Sequence, residues 1–468
     1  MAEIALKKRI WGWMAFDWAS QPYYTLGLTF IFGPYFAGVA AEYFIAGGMA
    51  EQDADARTQS LWSFSQMVAG LFIAFTAPVL GAFADASGRK IPWIAFFSVI
   101  YIGAAWSLWW LYPDGRGLWL TLILFYVGFI AAESALNFVN AILPSLGSDD
   151  EVGRISGSGL AVGYWGGVFG LIVMLLFFVE QDSGKTLIGL DPAFGFDAEA
   201  REGTRFIGPF IAMWYAIFII PFFMWVRDDK LPNKPKIPAK QVMTDLWATI
   251  KSVFRRKSLG SFLLSSMLYR DALNAMYTFG GVYARLVLEW SLTMIGIFGI
   301  IGAITAAVTS YVGGFFDRKL GPKPVIRVCI YVLVAVGVVI VSMSRSQIFG
   351  IPLPEGSIVP DVIFFLCGAG IGGAGGALFA SSRSMMVRHA NPNRPTEAFG
   401  LFALSGKATA FLAPAMIALF TWVFNSNQLG FIPVIFLFIL GLILLRWVNA
   451  DGDKAEWSAS LASSSRSP

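Results

Sequence analysis

Long apolar runs dominate this sequence and decide the environment in which it can fold. A helix needs roughly 20 apolar residues to cross a hydrocarbon core of ~30 Å, because it rises ~1.5 Å per residue. The sequence contains twelve such runs. They cover residues 11–42, 58–84, 91–112, 117–143, 154–180, 206–226, 259–288, 292–316, 323–344, 359–387, 397–422 and 430–448. We therefore predict an all-α integral membrane protein with twelve transmembrane helices.

Composition excludes several classes of function. Of the 468 residues, 56% are hydrophobic and 14% charged, whereas a soluble domain carries about 25% charged residues. With one histidine, His389, and two cysteines in apolar runs, the sequence predicts neither a catalytic triad nor a metal site. The Gly-x-Gly-x-x-Gly pattern at 368–373 follows no strand, which favours helix packing over a nucleotide site. We expect no enzyme activity and no cofactor, and we expect His389 to be solvated in a cytoplasmic loop.

The distribution of Lys and Arg predicts an orientation. If both termini are cytoplasmic, the cytoplasmic segments hold 25 of the 34 Lys and Arg residues and the outer loops hold six. Basic loops stay on the cytoplasmic side, so we predict a protein of the cytoplasmic (inner) membrane with both termini inside. The net charge of +4 then reflects this asymmetry and contacts with anionic lipids, and it does not indicate nucleic acid as a partner.

Six runs precede a long basic segment and six follow it, which predicts two bundles of six helices. The predicted parts are an N-terminal bundle at 1–226, a cytoplasmic linker at 227–257, a C-terminal bundle at 258–449 and a disordered cytoplasmic tail at 450–468. Within the linker, apolar residues between 242 and 254 recur at helical spacing among Lys and Arg residues. This pattern is typical of an amphipathic helix on the inner leaflet.

The two halves share three short patterns in the same order. In the first pattern, Asp17, Tyr23 and Thr25 of the first run correspond to Asp271, Tyr277 and Thr278 of the seventh run. The second pattern is a Gly-x-x-x-Asp loop, which follows both the second and the eighth run. In the third, a glycine precedes a Ser-Gly pair by five residues, Gly153 in the first half and Gly400 in the second. Three ordered matches indicate two similar bundles related by an axis along the membrane normal.

The two Gly-x-x-x-Asp loops form the predicted cytoplasmic gate. Glycine permits close helix approach, and the aspartate can pair with a basic residue or a helix N-terminus on the other bundle. Such a contact would latch the cytoplasmic side closed. The residues assigned to the gate are Gly81, Asp85, Gly88, Arg89 and Lys90 in the first loop and Gly313, Asp317 and Arg318 in the second. The alternative is a pair of basic turns that serve topology alone.

Polar side chains inside the predicted helices form a candidate site for substrate and protons. A charge at a helix centre costs at least ~2.5 kcal/mol, so such residues usually face a cavity or a partner. The assigned residues are Asp17, Glu133, Asn137, Arg270, Asp271, Asn274 and Lys407. These residues include three acids and two bases, so the acid in excess of the bases could carry a proton. Alternatively, the two bases could bind a carboxylate while an acid receives an ammonium group. An ion-pair network that serves packing alone is the alternative.

These patterns resemble the major facilitator superfamily, through the duplicated Gly-x-x-x-Asp loop and the six-plus-six plan. More narrowly, the chain looks like the autophagy-related vacuolar-effluxer branch and its bacterial relatives. The segments that carry the narrower resemblance are 16–19, 23–25, 140–144, 157–164, 382–384 and 399–407. The resemblance implies a secondary transporter of small solutes, and the yeast branch is associated with amino-acid export from the vacuole. Ala86 departs from the superfamily loop, which usually has a basic residue there.

The favoured function is therefore secondary transport by alternating access. We expect a small polar or zwitterionic solute such as an amino acid, protons as coupling ion, a central site between the bundles, and a monomer in the lipid bilayer. Two other functions stay open. The aromatic content of 16% permits efflux of amphipathic compounds, and a sensor or scaffold without transport activity would bind partners through residues 181–204 or the tail.

Overall fold

The described part of the chain is a succession of helices. The structure is a computed structural model and describes residues 4–181, 183–228, 238–290, 292–409, 412–424, 426 and 428–453. The first-half helices are α1 (Leu6–Pro22), α2 (Phe32–Ala46), α3 (Glu51–Ser87), α4 (Ile91–Trp106), α5 (Leu118–Asn140), α6 (Asp149–Phe177), α7 (Glu202–Arg205), α8 (Ile207–Phe218) and α9 (Ile220–Trp225). The remaining helices are α10 (Ala239–Arg255), α11 (Lys257–Leu286), α12 (Leu292–Leu320), α13 (Pro322–Val341), α14 (Val359–His389), α15 (Pro395–Lys407), α16 (Leu412–Phe424) and α17 (Ile432–Leu444). A short hairpin of β1 (Gln347–Ile348) and β2 (Ile351–Pro352) precedes α14.

Short irregular helices complete these elements. They are a π-helix at Tyr23–Phe30 and 3₁₀-helices at Ser107–Trp110, Leu143–Ser145, Ala193–Gly195, Leu429–Phe431 and Leu445–Trp447. The π-helix follows Pro22, which has no backbone N–H to continue the α-helical ladder. Such π segments are frequently found at functional sites.

Each of the twelve predicted runs falls on one of these helices or on two or three consecutive ones. Among the described residues, eleven segments are long and apolar enough to cross a membrane. The remaining run coincides with α11, whose 30 residues are long enough but include Arg270 and Asp271 and are therefore less apolar.

The chain folds into two compact units. The first unit consists of Met1–Ile73, Arg89–Val139 and Val162–Asp229, and the second of Ala74–Gly88, Asn140–Ala161 and Lys230–Pro468. The second unit thus includes the last part of α3 and the first part of α6 together with the second half of the sequence. The predicted boundaries at the linker stay a prediction, and residues 229–237 and 454–468 lie outside the described chain.

Buried aromatic side chains form the core of the first unit, and two of them join helices through hydrogen bonds. The indole of Trp13 donates a hydrogen bond of 2.8 Å to the carbonyl of Val139. The hydroxyl of Tyr23 donates to the carbonyl of Phe125, and its ring stacks on the ring of Phe125. These bonds join α1 and its π-helical continuation to α5, because a buried polar atom is costly without a partner.

The prediction for His389 was wrong. His389 is the last residue of α14 and is 1% exposed. Its ring stacks on Phe262 and its Nε2 lies 2.8 Å from the hydroxyl of Ser258. α14, which contains the tenth predicted run, extends two residues beyond that run, and this extension places the histidine in the protein interior.

Candidate functional site

The first gate loop lies against the start of α15. The carboxylate of Asp85 is 7% exposed, and its Oδ2 accepts a hydrogen bond of 2.8 Å from the backbone N–H of Glu397. Glu397 is in the first turn of α15, where N–H groups lack intrahelical partners and the helix dipole is positive. A Cβ on Gly81 would lie 2.5 Å from the carbonyl oxygen of Thr396, so glycine is required for this approach. Asp85 therefore has a helix N-terminus as its partner, one of the two expected partner types.

The second gate loop lies against the start of α6. A Cβ on Gly153 would clash with the carboxylate of Asp317, and a Cβ on Gly157 would lie 2.7 Å from Cα of Gly314. Asp317 is 1% exposed and accepts a hydrogen bond of 3.2 Å from the hydroxyl of Ser384. α6 and α12 thus cross with their backbones in contact, a geometry that small residues make possible.

The two gate contacts correspond to each other under the internal repeat. The loop after α3 contacts α15, which carries Gly400, and the loop after α12 contacts α6, which carries Gly153. These two glycines are equivalent in the sequence repeat, and a Cβ on Gly400 would lie 2.6 Å from Cα of Pro78 in α3. Each half of the sequence therefore supplies one Gly-x-x-x-Asp loop and one small-residue helix surface for the loop of the other half.

The remaining gate residues have different roles in the structure. Gly88 and Gly321, which end the two loops, have φ angles of +66° and +80°, a conformation that favours glycine. The backbone N–H of Lys90 donates a 2.8 Å hydrogen bond to Asp228, which caps the start of α4 in the first unit. Arg89 and Arg318 have exposed side chains, as topology-setting basic residues have.

A buried arginine beside the second gate loop was missed by sequence reasoning. Arg383 counts among the 25 cytoplasmic basic residues, yet it is 6% exposed. Its Nη2 donates to the carbonyl of Ser156 at 2.7 Å, its Nε to the Ser156 hydroxyl at 3.1 Å, and its Nη1 to Oδ1 of Asn140 at 3.3 Å. The hydroxyl of Ser156 in turn donates 2.8 Å to the carbonyl of Ala380. The available signal was an arginine between Ser382 and Ser384, seven residues after the last glycine of a glycine-rich run.

Charged residues of the second unit lie where the eleventh span is interrupted. α15 ends at Lys407, residues 408 and 409 form a turn that interrupts the span, and α16 is described from Leu412. The carboxylate of Asp271, 3% exposed, accepts a hydrogen bond of 3.1 Å from the backbone N–H of Ala413 in the first turn of α16. A helix N-terminus stabilises a carboxylate, and a helix C-terminus stabilises a cation such as Lys407.

The neighbouring Arg270 is held against the other side of this interruption. Its Nη1 donates 3.0 Å to the carbonyl of Phe402 in α15, and its guanidinium lies 4.3 Å from the centre of the Phe402 ring. A Cβ on Gly406 would lie 2.5 Å from Nη1, so the glycine makes room for the cation. Asn274, one turn further along α11, has an exposed side chain. The structure therefore brings Arg270, Asp271 and the two helix ends together.

The predicted site residues of the first unit lie on α1 and α5. Asp17 is 6% exposed, and a Cβ on Gly163 of α6 would lie 3.2 Å from its Cβ. The carboxylate of Glu133 lies beside the hydroxyl of Tyr24, and Asn137 is 5% exposed. Asp17 and Asn137 are therefore buried within the first unit, and Glu133 is half-buried.

No group of three or more His, Cys, Asp or Glu side chains in the described ranges converges as a metal site requires. The chemistry available at the charged positions is ion pairing, hydrogen bonding and proton exchange.

The helix arrangement defines a class of protein. The human organic anion transporter MFSD10 (TETRAN) has a similar structure, with a TM-score of 0.67 at 15% identity over 95% of this chain and 100% of that chain. The proton:xylose symporter XylE of the major facilitator superfamily matches with a TM-score of 0.64 at 11% identity over 97% and 98% of the two chains. The predicted all-α membrane protein with twelve spans is confirmed, and its fold is that of a major facilitator superfamily transporter.

Sequence comparison identifies the branch. The family model described as vacuole effluxer Atg22 like matches residues 5–458, and the chain belongs to this family. A relative named as an uncharacterised MFS-type transporter, YxiO of Bacillus subtilis (strain 168), is 21% identical over 441 residues, which cover 94% of each chain. The resemblance seen in the sequence is therefore confirmed, and the general function is transport across a membrane.

Proposed function

We propose that this protein moves a small zwitterionic solute, such as an amino acid, by proton-linked secondary transport. The observation that carries the proposal is the placement of Arg270, Asp271 and Lys407 around the interruption of the eleventh span. A zwitterion presents a carboxylate for a cation and an ammonium group for an acid. Both signs of charge are available here within a few residues of each other.

The interrupted helix supports a binding role for these charges. Helix ends within a membrane offer backbone N–H and C=O groups, and many transporters place such ends at the substrate site. Arg270 is oriented by Phe402, and Asp271 by the start of α16, so both side chains are positioned before a solute arrives. Asn274 is the proposed hydrogen-bonding partner, and the contribution of Asp17, Glu133 and Asn137 stays a prediction.

Asp271 is the proposed proton carrier. A buried carboxylate changes its protonation state when a nearby charge arrives or leaves. The ammonium group of a zwitterion is such a charge, so its entry would release the proton and its exit would allow the proton to return. The fold neighbour XylE, named as a proton:xylose symporter, supports coupling to protons in this fold.

The two gate contacts are proposed to close the cytoplasmic side during the cycle. Asp85 and Asp317 each join a loop from one half of the sequence to a helix from the other, so both contacts must break for that side to open. The excess of Lys and Arg in the gate-side segments supports the cytoplasmic assignment of this side and of both termini in the inner membrane.

A thermal-shift screen of purified protein in detergent tests the substrate class. The screen covers amino acids, peptides, osmolytes, organic acids and amphipathic drugs at two pH values, because a ligand of the folded state raises the melting temperature. We expect hits among zwitterions that depend on pH and disappear in Asp271→Asn and Lys407→Gln. Glu355→Gln, which changes an exposed acid, is the matched control and keeps the hits. Hits confined to amphipathic drugs would replace the proposal with efflux of such compounds.

A further inference from the structure

We propose that the exposed face of α10 binds the anionic lipid surface of the cytoplasmic leaflet and thereby stabilises the closed gate contact of Asp85. The lipid-binding part of this inference is independent of transport. The regulatory part rests on the proposed gate function.

One face of α10 packs against the end of α3 that carries the gate. Val242 and Leu246 are 4% and 3% exposed and form a buried cluster with Ala82. Phe83 and Ile250 pack against the same cluster. Because Ala82 is one turn before Asp85, a displacement of α10 would disturb the gate loop directly.

The same face of α10 also contacts the start of α15, which is the partner of Asp85 in the gate contact. The carboxylate of Asp245 accepts a hydrogen bond of 2.7 Å from Nη2 of Arg394, the residue before α15. Nη1 of Arg394 lies 3.7 Å from the carboxylate of Glu397, whose backbone N–H donates to Asp85. α10 therefore contacts both elements that the gate joins, α3 through apolar packing and α15 through an ion pair.

The opposite face of α10 is exposed and combines cations with large apolar groups. Its members are Lys240, Met243, Trp247, Lys251 and Arg255, which recur at intervals of three and four residues. Met243 is 43% and Trp247 is 58% exposed, and Nζ of Lys251 lies 5.6 Å from the centre of a ring of Trp247. The single acid of α10, Asp245, is on the inner face, so the exposed face has only positive charge.

A membrane surface satisfies both properties of this face. Lipid phosphates pair with the cations, and the boundary between headgroups and acyl chains accepts the tryptophan and the methionine. The membrane is also close, because Arg256 alone separates α10 from α11, the seventh membrane helix. Anionic lipid is therefore the occupant that charge and position favour.

The binding test uses the full-length protein with a fluorophore sensitive to polarity. The label is attached to Met243→Cys in a Cys329→Ala, Cys367→Ala background, and the protein is placed in phosphatidylcholine nanodiscs with or without phosphatidylglycerol. We expect a blue shift of the emission when phosphatidylglycerol is present. Lys240→Gln with Lys251→Gln should abolish this shift, whereas the matched pair Lys7→Gln with Lys8→Gln, exposed cations elsewhere on the cytoplasmic side, should keep it. Equal emission in both nanodiscs would overturn the inference, and so would an equal shift caused by soluble polyglutamate, which would indicate an acidic protein partner.

The regulatory test measures access to the gate. Thr396 is fully buried beside Gly81, so the reaction of Thr396→Cys with a maleimide reports opening of the contact. Phosphatidylglycerol should slow this reaction. Each cation near an anionic surface contributes about fivefold to the binding equilibrium, so the two lysines together should slow the reaction by up to about 25-fold. The α10 lysine pair should lose the effect and the N-terminal pair should retain it. A reaction rate independent of phosphatidylglycerol, together with a blue shift, would overturn the link to the gate and leave the proposed transport function untouched.

Discussion

Substitution of Gly157 by alanine tests the close crossing of α6 and α12. The new Cβ would lie 2.7 Å from Cα and 3.0 Å from the backbone nitrogen of Gly314, and it would clash with the carbonyl of Ser310. Every one of these neighbours is a backbone atom, so no side chain can rotate out of the way. The two helices themselves must separate.

The required separation sets the size of the effect. Carbon atoms pack at about 3.5–4.0 Å, so the helices must move apart by roughly 1 Å. Overpacking of this kind costs about 1–3 kcal/mol in the conformation that contains the contact. If the crossing is a gate, this penalty applies to the closed conformation alone, and the open population rises by about 5- to 150-fold.

The assay is maleimide labelling of Ser381→Cys, a fully buried position, in a background without Cys329 and Cys367. Gly157→Ala should raise the labelling rate by the factor given above without a comparable loss of melting temperature. Gly296→Ala is the matched control on α12, because its Cβ meets no atom within 4 Å. Equal labelling of the two variants would refute the gate assignment of this crossing. A lower melting temperature with unchanged labelling would show that the contact is purely structural.

Substitutions at three further residues have expected outcomes. Asp85→Ala removes the hydrogen-bond acceptor at the start of α15. Because loss of a helix cap costs ~1 kcal/mol, this variant should raise the labelling rate of Ser381→Cys about fivefold. Asp85→Asn keeps an acceptor and should change the rate less. Arg383→Gln leaves buried acceptors without their charged donor, and should weaken the closed gate by about 2–3 kcal/mol as read from the same labelling, with Arg383→Lys intermediate. Arg205 is 2% exposed, and its guanidinium lies 3.9 Å from the centre of the Tyr112 ring and 4.7 Å from that of the Trp109 ring. Arg205→Ala should therefore reduce the free energy of unfolding by about 1–3 kcal/mol and lower the melting temperature. The labelling rate should not change. Unchanged values for any of these variants in its assay would contradict the role given to that residue.

Apolar length was sufficient to predict the helices, and internal repetition indicated that two loops are equivalent. A membrane helix has an almost invariant length requirement, so the twelve runs could be located without knowledge of packing. The repeat identified Asp85 and Asp317 as equivalent, and both are buried against a helix start. The helix prediction succeeded because it depends on local sequence and on the chemistry of the bilayer, whereas the gate function of the two loops stays a prediction.

Which side chains contact one another between helices could not be predicted in the same way. Arg383 and His389 have the charge pattern of cytoplasmic residues, but both are buried in α14, Arg383 inside the predicted apolar run and His389 two residues beyond its end. Asn140 shares a helix face with Glu133, yet its side chain binds Arg383. Which side chains meet depends on how distant helices cross, and the period of a single helix does not contain that information.

Transport measured in proteoliposomes is the most direct test of the central claim that Asp271 couples solute movement to protons. Uptake of the zwitterion found by thermal shift would be followed with and without an imposed pH gradient, for the wild type, Asp271→Asn, Lys407→Gln and the control Glu355→Gln. We predict that the gradient accelerates uptake in the wild type and in the control, that Asp271→Asn loses this acceleration, and that Lys407→Gln loses uptake itself. Uptake that keeps its full rate and pH dependence in both Asp271→Asn and Lys407→Gln would contradict the proposed site.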